Sequence, residues 1–311
     1  AELKQFYDKK LLSVAEKNLV FMQYGTKRPI PARGGKSIEF RRFEKFTITA
    51  GSYTLTEGTP PTQTQGTVST VTATISQYGQ YSALTDLLEL QSYDPIIAEY
   101  TEKYGIAMAE ALDIVVRDVV DATTTIQYAG AATVVATSGA GAVASGNYIN
   151  SAEILEMVRT LRRADARKIN GRYICFIHPD NTHDLMQDPD IIDAFQYAAG
   201  RDQNNPLFTG VLGDWMGVTF VETTNLKVHS SYGMSGADVY EVVMVGEEAY
   251  AVTELSTQQS ELIVKPRGSA GTADPLNQVS TIGWKAALAA VILNQNFLVS
   301  LYCASSRTPA A

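Results

Sequence analysis

The chain has 311 residues, of which 45% are hydrophobic and 19% charged, with a formal net charge of −8. The length suits one large domain or two to three intimately joined ones, and the negative balance argues against a dedicated nucleic-acid binder, which needs a basic footprint to neutralise phosphates. No run reaches the ~18 apolar residues of a membrane span and no basic-then-apolar leader opens the chain, while the rather low charge fraction suits a surface that is covered in the working state.

Residues 1–25 carry Leu3, Phe6, Tyr7, Leu11, Leu12, Ala15 and Leu19 at three- and four-residue spacing, the pattern of an amphipathic helix. Gly25 is its stop, and Pro29 and Pro31 forbid its continuation, so this segment reads as an arm. Residues 36–48 read as a strand in which Ile38 and Phe40 share a face and Phe43 breaks the alternation as a β-bulge would. The turn formers Gly51, Gly58, Pro60, Pro61 and Gly66 follow. The return strand sets Val71, Ala73 and Ile75 between Thr70, Thr72, Thr74 and Ser76, leaving one thinly apolar face. An isolated two-stranded ribbon is marginal in water, so this one predicts a supporting surface outside itself.

Asp94 and Pro95 are a good N-cap and first helical residue. Ile97, Tyr100, Tyr104, Ala107, Met108, Ala111, Leu112, Val115, Val119 and Ala122 then form one stripe. Running to Tyr128, this predicts a spine of roughly 50 Å. Residues 129–147 are small and low in complexity and read as a boundary loop or short hairpin. Asn150 with Glu153 resembles a capping box opening a further helix. Alternating elements follow: a strand at Tyr173–Ile177, helices near 180–187 and 190–198, strands at Val218–Glu222 and Val239–Val245, a short helix at 247–251, and closing β segments at 261–265 and 278–302. The whole reads as mixed α+β.

Chemistry is sparse. His178 and His183 in HPDNTH lack a helical i, i+4 pair and a third metal ligand, and read as a strand-to-helix turn with Asp180 or Asn181 as cap. Cys175 and Cys303 sit in apolar runs and read as core thiols of a reducing cytoplasm. GVLGDWMGV (210–218) lacks the Lys-Ser/Thr of a phosphate loop and reads as a tight hairpin. Glu57 is a lone carboxylate without an acid–base partner. Charge is segregated: residues 27–45 hold seven Lys/Arg against two Glu, and residues 94–121 hold seven Asp/Glu against two Lys/Arg. Such patches read either as two solvated faces or as a basic ribbon base on one copy meeting an acidic spine on another.

The motifs FYDKKLL with LVFMQYG (6–25), IEFRRF (38–43), LTEGTPP (55–61), VTATISQYGQY (71–81) and Thr85-Asp86, with ICFIHPD, GVLGDWMGVTFVET and VMVGEEAYAV further on, give the chain its resemblance. It resembles the major capsid proteins of tailed bacteriophages, in the branch typified by the phage N-four. The resemblance implies an α+β Johnson fold, also called the Hong Kong ninety-seven fold. Its parts would be an N-terminal arm (1–34), an extended β-hairpin loop (35–84), a peripheral domain with the spine helix (85–130), an axial domain (131–258) and closing strands (259–311).

That resemblance also implies the partners: other copies of the chain in hexamers and pentamers of an icosahedral lattice, a portal, a scaffold, possible decoration proteins, and packaged double-stranded DNA held weakly. It implies no active site, cofactor, metal or membrane, and a place in the virion after assembly in the host bacterial cytoplasm. Expected inter-subunit contacts are Arg41, Arg42, Lys45, Leu55, Glu57, Pro60, Val71, Ile75 and Tyr78 on the loop. Glu99, Glu102, Glu110 and Asp113 are expected on the acidic face of the spine, and Phe6, Tyr7 and Leu11 on the arm. Some relatives crosslink through a Lys on this loop; residues 51–66 hold none, so no covalent chainmail by that route is expected. A nanocompartment shell enclosing a cargo enzyme keeps the fold and changes the job, and a hydrolase using Cys175 or the His178/His183 pair is the reading from another class.

Overall fold

The structure, a computed structural model, describes residues 20–30, 35–46, 54–55, 57–60, 65–91, 96–130, 143–198, 213–254, 260–269 and 274–307. In chain order, a one-turn helix Phe21–Tyr24 is followed by β1 (Thr26–Lys27), β2 (Ser37–Phe43), β3 (Val68–Thr74), β4 (Ser76–Thr85), and helices Asp86–Gln91 and Ile96–Val120. Next come β5 (Ile126–Tyr128), a helix Ser151–Arg163, β6 (Tyr173–Ile177), helices Pro179–Met186 and Pro189–Ala198, β7 (Asp214–Trp215), β8 (Val218–Glu222), β9 (Val228–His229) and β10 (Val239–Val245). β11 (Tyr250–Glu254), β12 (Ser260–Lys265), β13 (Val279–Ile292) and β14 (Leu298–Cys303) complete the order.

Three sheets result. The first is built on β13, whose fourteen residues pair with β4 along one edge and with β12 and then β11 along the other. The second runs β5-β14-β10-β6-β8-β7, with β9 added beside β10. The third is the isolated pair β2-β3. Strands buried on both faces read as unbroken apolar runs, which is why YICFI (β6) and VYEVVMV (β10) are buried along their whole length. Cys175, Val242, Met244 and Leu301 face the helix Ser151–Arg163 through Ile154, Met157 and Leu161. On the other side Phe176, Val243 and Val245 join the spine helix and the inner face of the β13 sheet in one core.

The spine helix, Ile96–Val120, lies on β13 through Tyr104, Met108, Leu112, Val116 and Val120, a strict i, i+4 row. It is shorter than the 95–128 expected from the apolar stripe, about 37 Å at 1.5 Å per residue. Thr123, Thr124 and Thr125 end it. Their hydroxyls and amides turn to Gln295, with Thr124 N at 3.0 Å from Gln295 Oε1 and Thr125 Oγ1 at 3.1 Å from Gln295 O, and the chain proceeds into β5. Hydroxyl side chains compete in this way with helical backbone bonds.

Other expectations are corrected. The helix expected at 247–251 is a turn followed by β11, because Tyr250 to Glu254 pair with β13. Phe43 makes no bulge: β2 and β3 pair without interruption from Ser37↔Thr74 to Phe43↔Val68. Of the capping box, half is formed. Asn150 Oδ1 accepts from Glu153 N at 3.0 Å, but the Glu153 carboxylate turns away to Gln127 Nε2 and Gly130 N, both at 2.8 Å. His178, not Asp180 or Asn181, caps the helix Pro179–Met186 by accepting from Asp180 N. The tight hairpin expected at 210–218 is present over its described residues, β7 and β8 pairing antiparallel about a turn in which Met216 (φ 51°) and Gly217 (φ 80°) are both left-handed. The arm with Phe6, Tyr7 and Leu11, the Asp94–Pro95 helix start and the loop at 131–142 lie outside the described residues.

Asp113 is a further correction. It sits inside the spine contact, 2% exposed, not on an outer acidic face. Its Oδ1 accepts from Val20 N (3.1 Å) and Phe21 N (2.8 Å), and its Oδ2 from Asn225 Nδ2 (2.9 Å), tying the first helix and the turn after β8 to the spine. Burial pushes the carboxyl up, against those hydrogen bonds. Asp113→Ala would orphan two backbone N–H groups, at about 1–3 kcal/mol each. The expected result is a thermal midpoint several degrees lower for the dissociated subunit, measured by calorimetry.

Candidate intersubunit surfaces

The ribbon β2-β3 is braced at its base only. Ala73 and Ile75, with Ile38 and Phe40 beside them, pack on Ile30 and on Ala287 and Ala289 of β13. Further out the burial falls away: from Arg41 to Phe43 and at Val68 every residue is exposed, and so are Leu55 and residues 57–60. The seven-residue ladder is about 23 Å long at ~3.3 Å per residue. Eight of the fifteen exposed large apolar side chains among the described residues lie between Phe43 and Leu90, so uncovered apolar surface is concentrated on the ribbon and the segment after it.

The pairing with β2 ends before Ser76, inside the loop expected to run to residue 84. The inward phase is Val71, Ala73, Ile75 and then shifts to Tyr78, Ser82, Leu84. At Ser76 the strand leaves β2 and pairs with β13 from Leu288↔Ser76 to Val279↔Thr85. Tyr78 is therefore half-buried on the main core of its own subunit, and Ile75 is buried at the ribbon base. Val71 is half-buried on the ribbon. Leu55, Glu57 and Pro60 are exposed near the tip.

The basic residues are arranged in exposed pairs. Arg42 donates from Nε (3.1 Å) and Nη2 (2.7 Å) to Glu44 Oε1, which also accepts from Ser69 Oγ at 2.5 Å. The Ser69 hydroxyl and then Arg42 hold the Glu44 carboxyl below its ordinary range. Arg41 is 3.5 Å from Glu39, and Lys45 reaches Asp165 at 4.0 Å with both side chains largely in water, a pair of little energetic weight. On the spine, Glu99, Glu102 and Glu110 are exposed. Glu110 rims a cleft of about 620 Å³ whose lining includes Asp113, Glu222 and Asn225.

Sequence reasoning missed one surface. The helix Asp86–Gln91 exposes Leu87, Leu88 and Leu90 together, and the run DLLELQ, three leucines in six residues, was the available signal. The groups of the hydrolase reading lie apart from any such surface. Cys175 and Cys303 are fully buried, and burial raises both thiols far above the range in which a thiolate forms. His178 is engaged as a helix cap and burial lowers its pKa. Among the described residues no group of three or more His, Cys, Asp or Glu is placed to hold a metal ion, and no helix is long and apolar enough to cross a membrane.

A family model described as phage capsid protein matches residues 67–299. No curated protein matches the chain. Among solved structures, the capsid asymmetric unit of cyanophage Pam1 is similar with a TM-score of 0.68 at 16% identity, over 89% of this chain and 87% of that one. The capsid of Ralstonia phage GP4 has a TM-score of 0.66 at 14% identity, over 92% and 88%. The capsid of cyanophage P-SCSP1u has 0.65 at 16%, over 93% and 89%. At these identities the likeness shows the shared fold, which is the Hong Kong ninety-seven type.

Exposed apolar residues far from the core should be silent in the lone subunit. Phe43→Ser and Leu55→Ser are each expected to leave the unfolding free energy of the dissociated subunit within about 0.5 kcal/mol of the parent in denaturant titrations.

Proposed function

The chain belongs to the phage capsid protein family, and on that premise we propose that its ribbon and spine surfaces join copies of it into the hexamers and pentamers of an icosahedral head that encloses double-stranded DNA. It is a major capsid protein, a structural subunit of the phage head shell, and its place is the virion capsid. The single observation that carries the proposal is the ribbon itself. β2 and β3 bury residues only at their base, while Phe43, Leu55 and Val68 stand exposed beyond it. A second copy beneath the ribbon supplies the missing face, and a closed lattice repeats that contact many times, so a weak edge suffices.

In this reading the basic base of the ribbon, Arg41, Arg42 and Lys45, lies against Glu99, Glu102 and Glu110 on the spine of the next copy. Complementary charge of this kind fixes register more than it adds affinity. The leucine face of Asp86–Gln91 adds a second contact between copies, and the arm a third. The net charge of −8 suits a wall that holds a polyanion without gripping it. Portal, scaffold and decoration proteins are its further partners, assembly takes place in the host bacterial cytoplasm, and the chain catalyses no reaction.

Two experiments test the proposal. Replacing residues 58–65 by a short turn is expected to leave a folded subunit and to abolish particles in negative-stain micrographs; intact shells from this variant would refute the ribbon assignment. Charge reversal tests the register: Arg41→Glu and Glu110→Arg are each expected to lower particle yield at least tenfold, and the double variant to recover part of it. Recovery in neither orientation of the pair would remove the ribbon-to-spine contact. Particles filled with a cargo protein and free of DNA would favour the nanocompartment reading.

A further inference from the structure

Asp121 closes the last turn of the spine helix, and among the described residues it is the one carboxylate with both oxygens buried and without a hydrogen-bond donor. Its side chain is 1% exposed. Arg117, one turn earlier, comes no nearer than 3.7 Å. The guanidinium is committed elsewhere: Nε and Nη2 donate to Asp118 at 3.1 and 2.7 Å, and Nη1 to the carbonyl and side-chain oxygens of Asn225 at 3.1 and 3.3 Å. Lys227 adds attraction from the segment before β9.

A second buried acid, Glu241 of β10, is 0% exposed, and its charge acts on Asp121. Glu241 Oε1 accepts from Ser300 Oγ of β14 at 2.9 Å, and Oε2 lies 3.3 Å from His229 Nε2 of β9. Tyr302 of β14, Tyr128 of β5 and Tyr232 complete the cluster, and the charges of both acids act on the Tyr302 hydroxyl. Burial penalises the ionised form of Asp121, and the Glu241 charge opposes it further. A bound cation there would need further ligands that the described residues do not supply. A proton needs none.

We propose that the joint between the spine helix and the seven-stranded sheet is closed by a proton: Asp121, buried and without a hydrogen-bond donor, is a neutral carboxylic acid in the folded subunit, and loss of that proton opens the joint. The inference concerns the dissociated subunit and does not depend on the shell reading. Burial first, and the Glu241 charge second, push the Asp121 carboxyl up to about 8. An unfolded Asp titrates near ~4. Between these limits the folded state binds a proton that the unfolded chain does not. The stabilisation is complete below the lower limit and is lost as pH rises through the upper one.

The test is the thermal midpoint of the dissociated subunit from about pH 5 to about pH 9, for the parent and for Asp121→Asn, which keeps the shape of the neutral acid. The parent is expected to lose several degrees more than the variant between about pH 5 and about pH 8, and the two curves to run parallel above that. Curves parallel over the whole range would overturn the proposal. A site-resolved titration of the Asp121 carboxyl carbon by NMR on the parent protein keeps the question open to refutation if the variant does not fold. A midpoint above about pH 6.5 is expected, and one in the ordinary carboxylate range would overturn it. In Glu241→Gln that midpoint should fall by a unit or more; an unmoved midpoint would overturn the part assigned to the Glu241 charge.

Discussion

Two paired strands with one thin apolar face can be held only where something lies beneath them. In this subunit that support is Ala287 and Ala289 of β13, under Ala73 and Ile75. Small residues there let the ribbon base sit close to the sheet. Past them the described residues of the ribbon pack on no core, and Phe43 and Leu55 are left in water. The rest of the architecture makes sense as the foundation for this cantilever.

The foundation is β13. One edge receives β4, the direct continuation of the ribbon, and the other receives β12 and β11. Its inner face, through Ile282, Trp284, Ala286 and Leu288, meets the spine helix. A displacement of the ribbon therefore bears on the same strand that carries the spine. The spine in turn ends at the buried acids Asp121 and Glu241, where it joins the seven-stranded sheet. Ribbon and spine are thus linked through one strand, β13.

Much of this was legible in the residues. The two-period alternation of 70–76, the apolar runs YICFI and VYEVVMV, and the i, i+4 spacing along the spine each state a local structure with a physical cause. What escaped needed the third dimension. The phase shift at Ser76 marks where the ribbon ends, but its meaning appears only when β13 is seen as the partner. Asp113 reads as one more surface acid until Val20, Phe21 and Asn225 are found around it. The short helix expected at 247–251 lost to tertiary pairing, as propensity does when a long strand offers its edge. Of the residues expected at contacts, the exposed ones (Arg41, Leu55, Glu57, Glu110) could be chosen from polarity and turn chemistry, whereas the burial of Ile75 and Asp113 and the half-burial of Tyr78 could not be read from sequence alone.

The most direct test of the central claim is a cryo-electron microscopy map of assembled particles at side-chain detail. Residues from Arg41 to Val68 of each subunit are expected to lie on a neighbouring copy, with Phe43 and Leu55 covered by it. A map in which that ribbon touches only its own subunit, or stands free in solvent in an intact shell, would contradict the account.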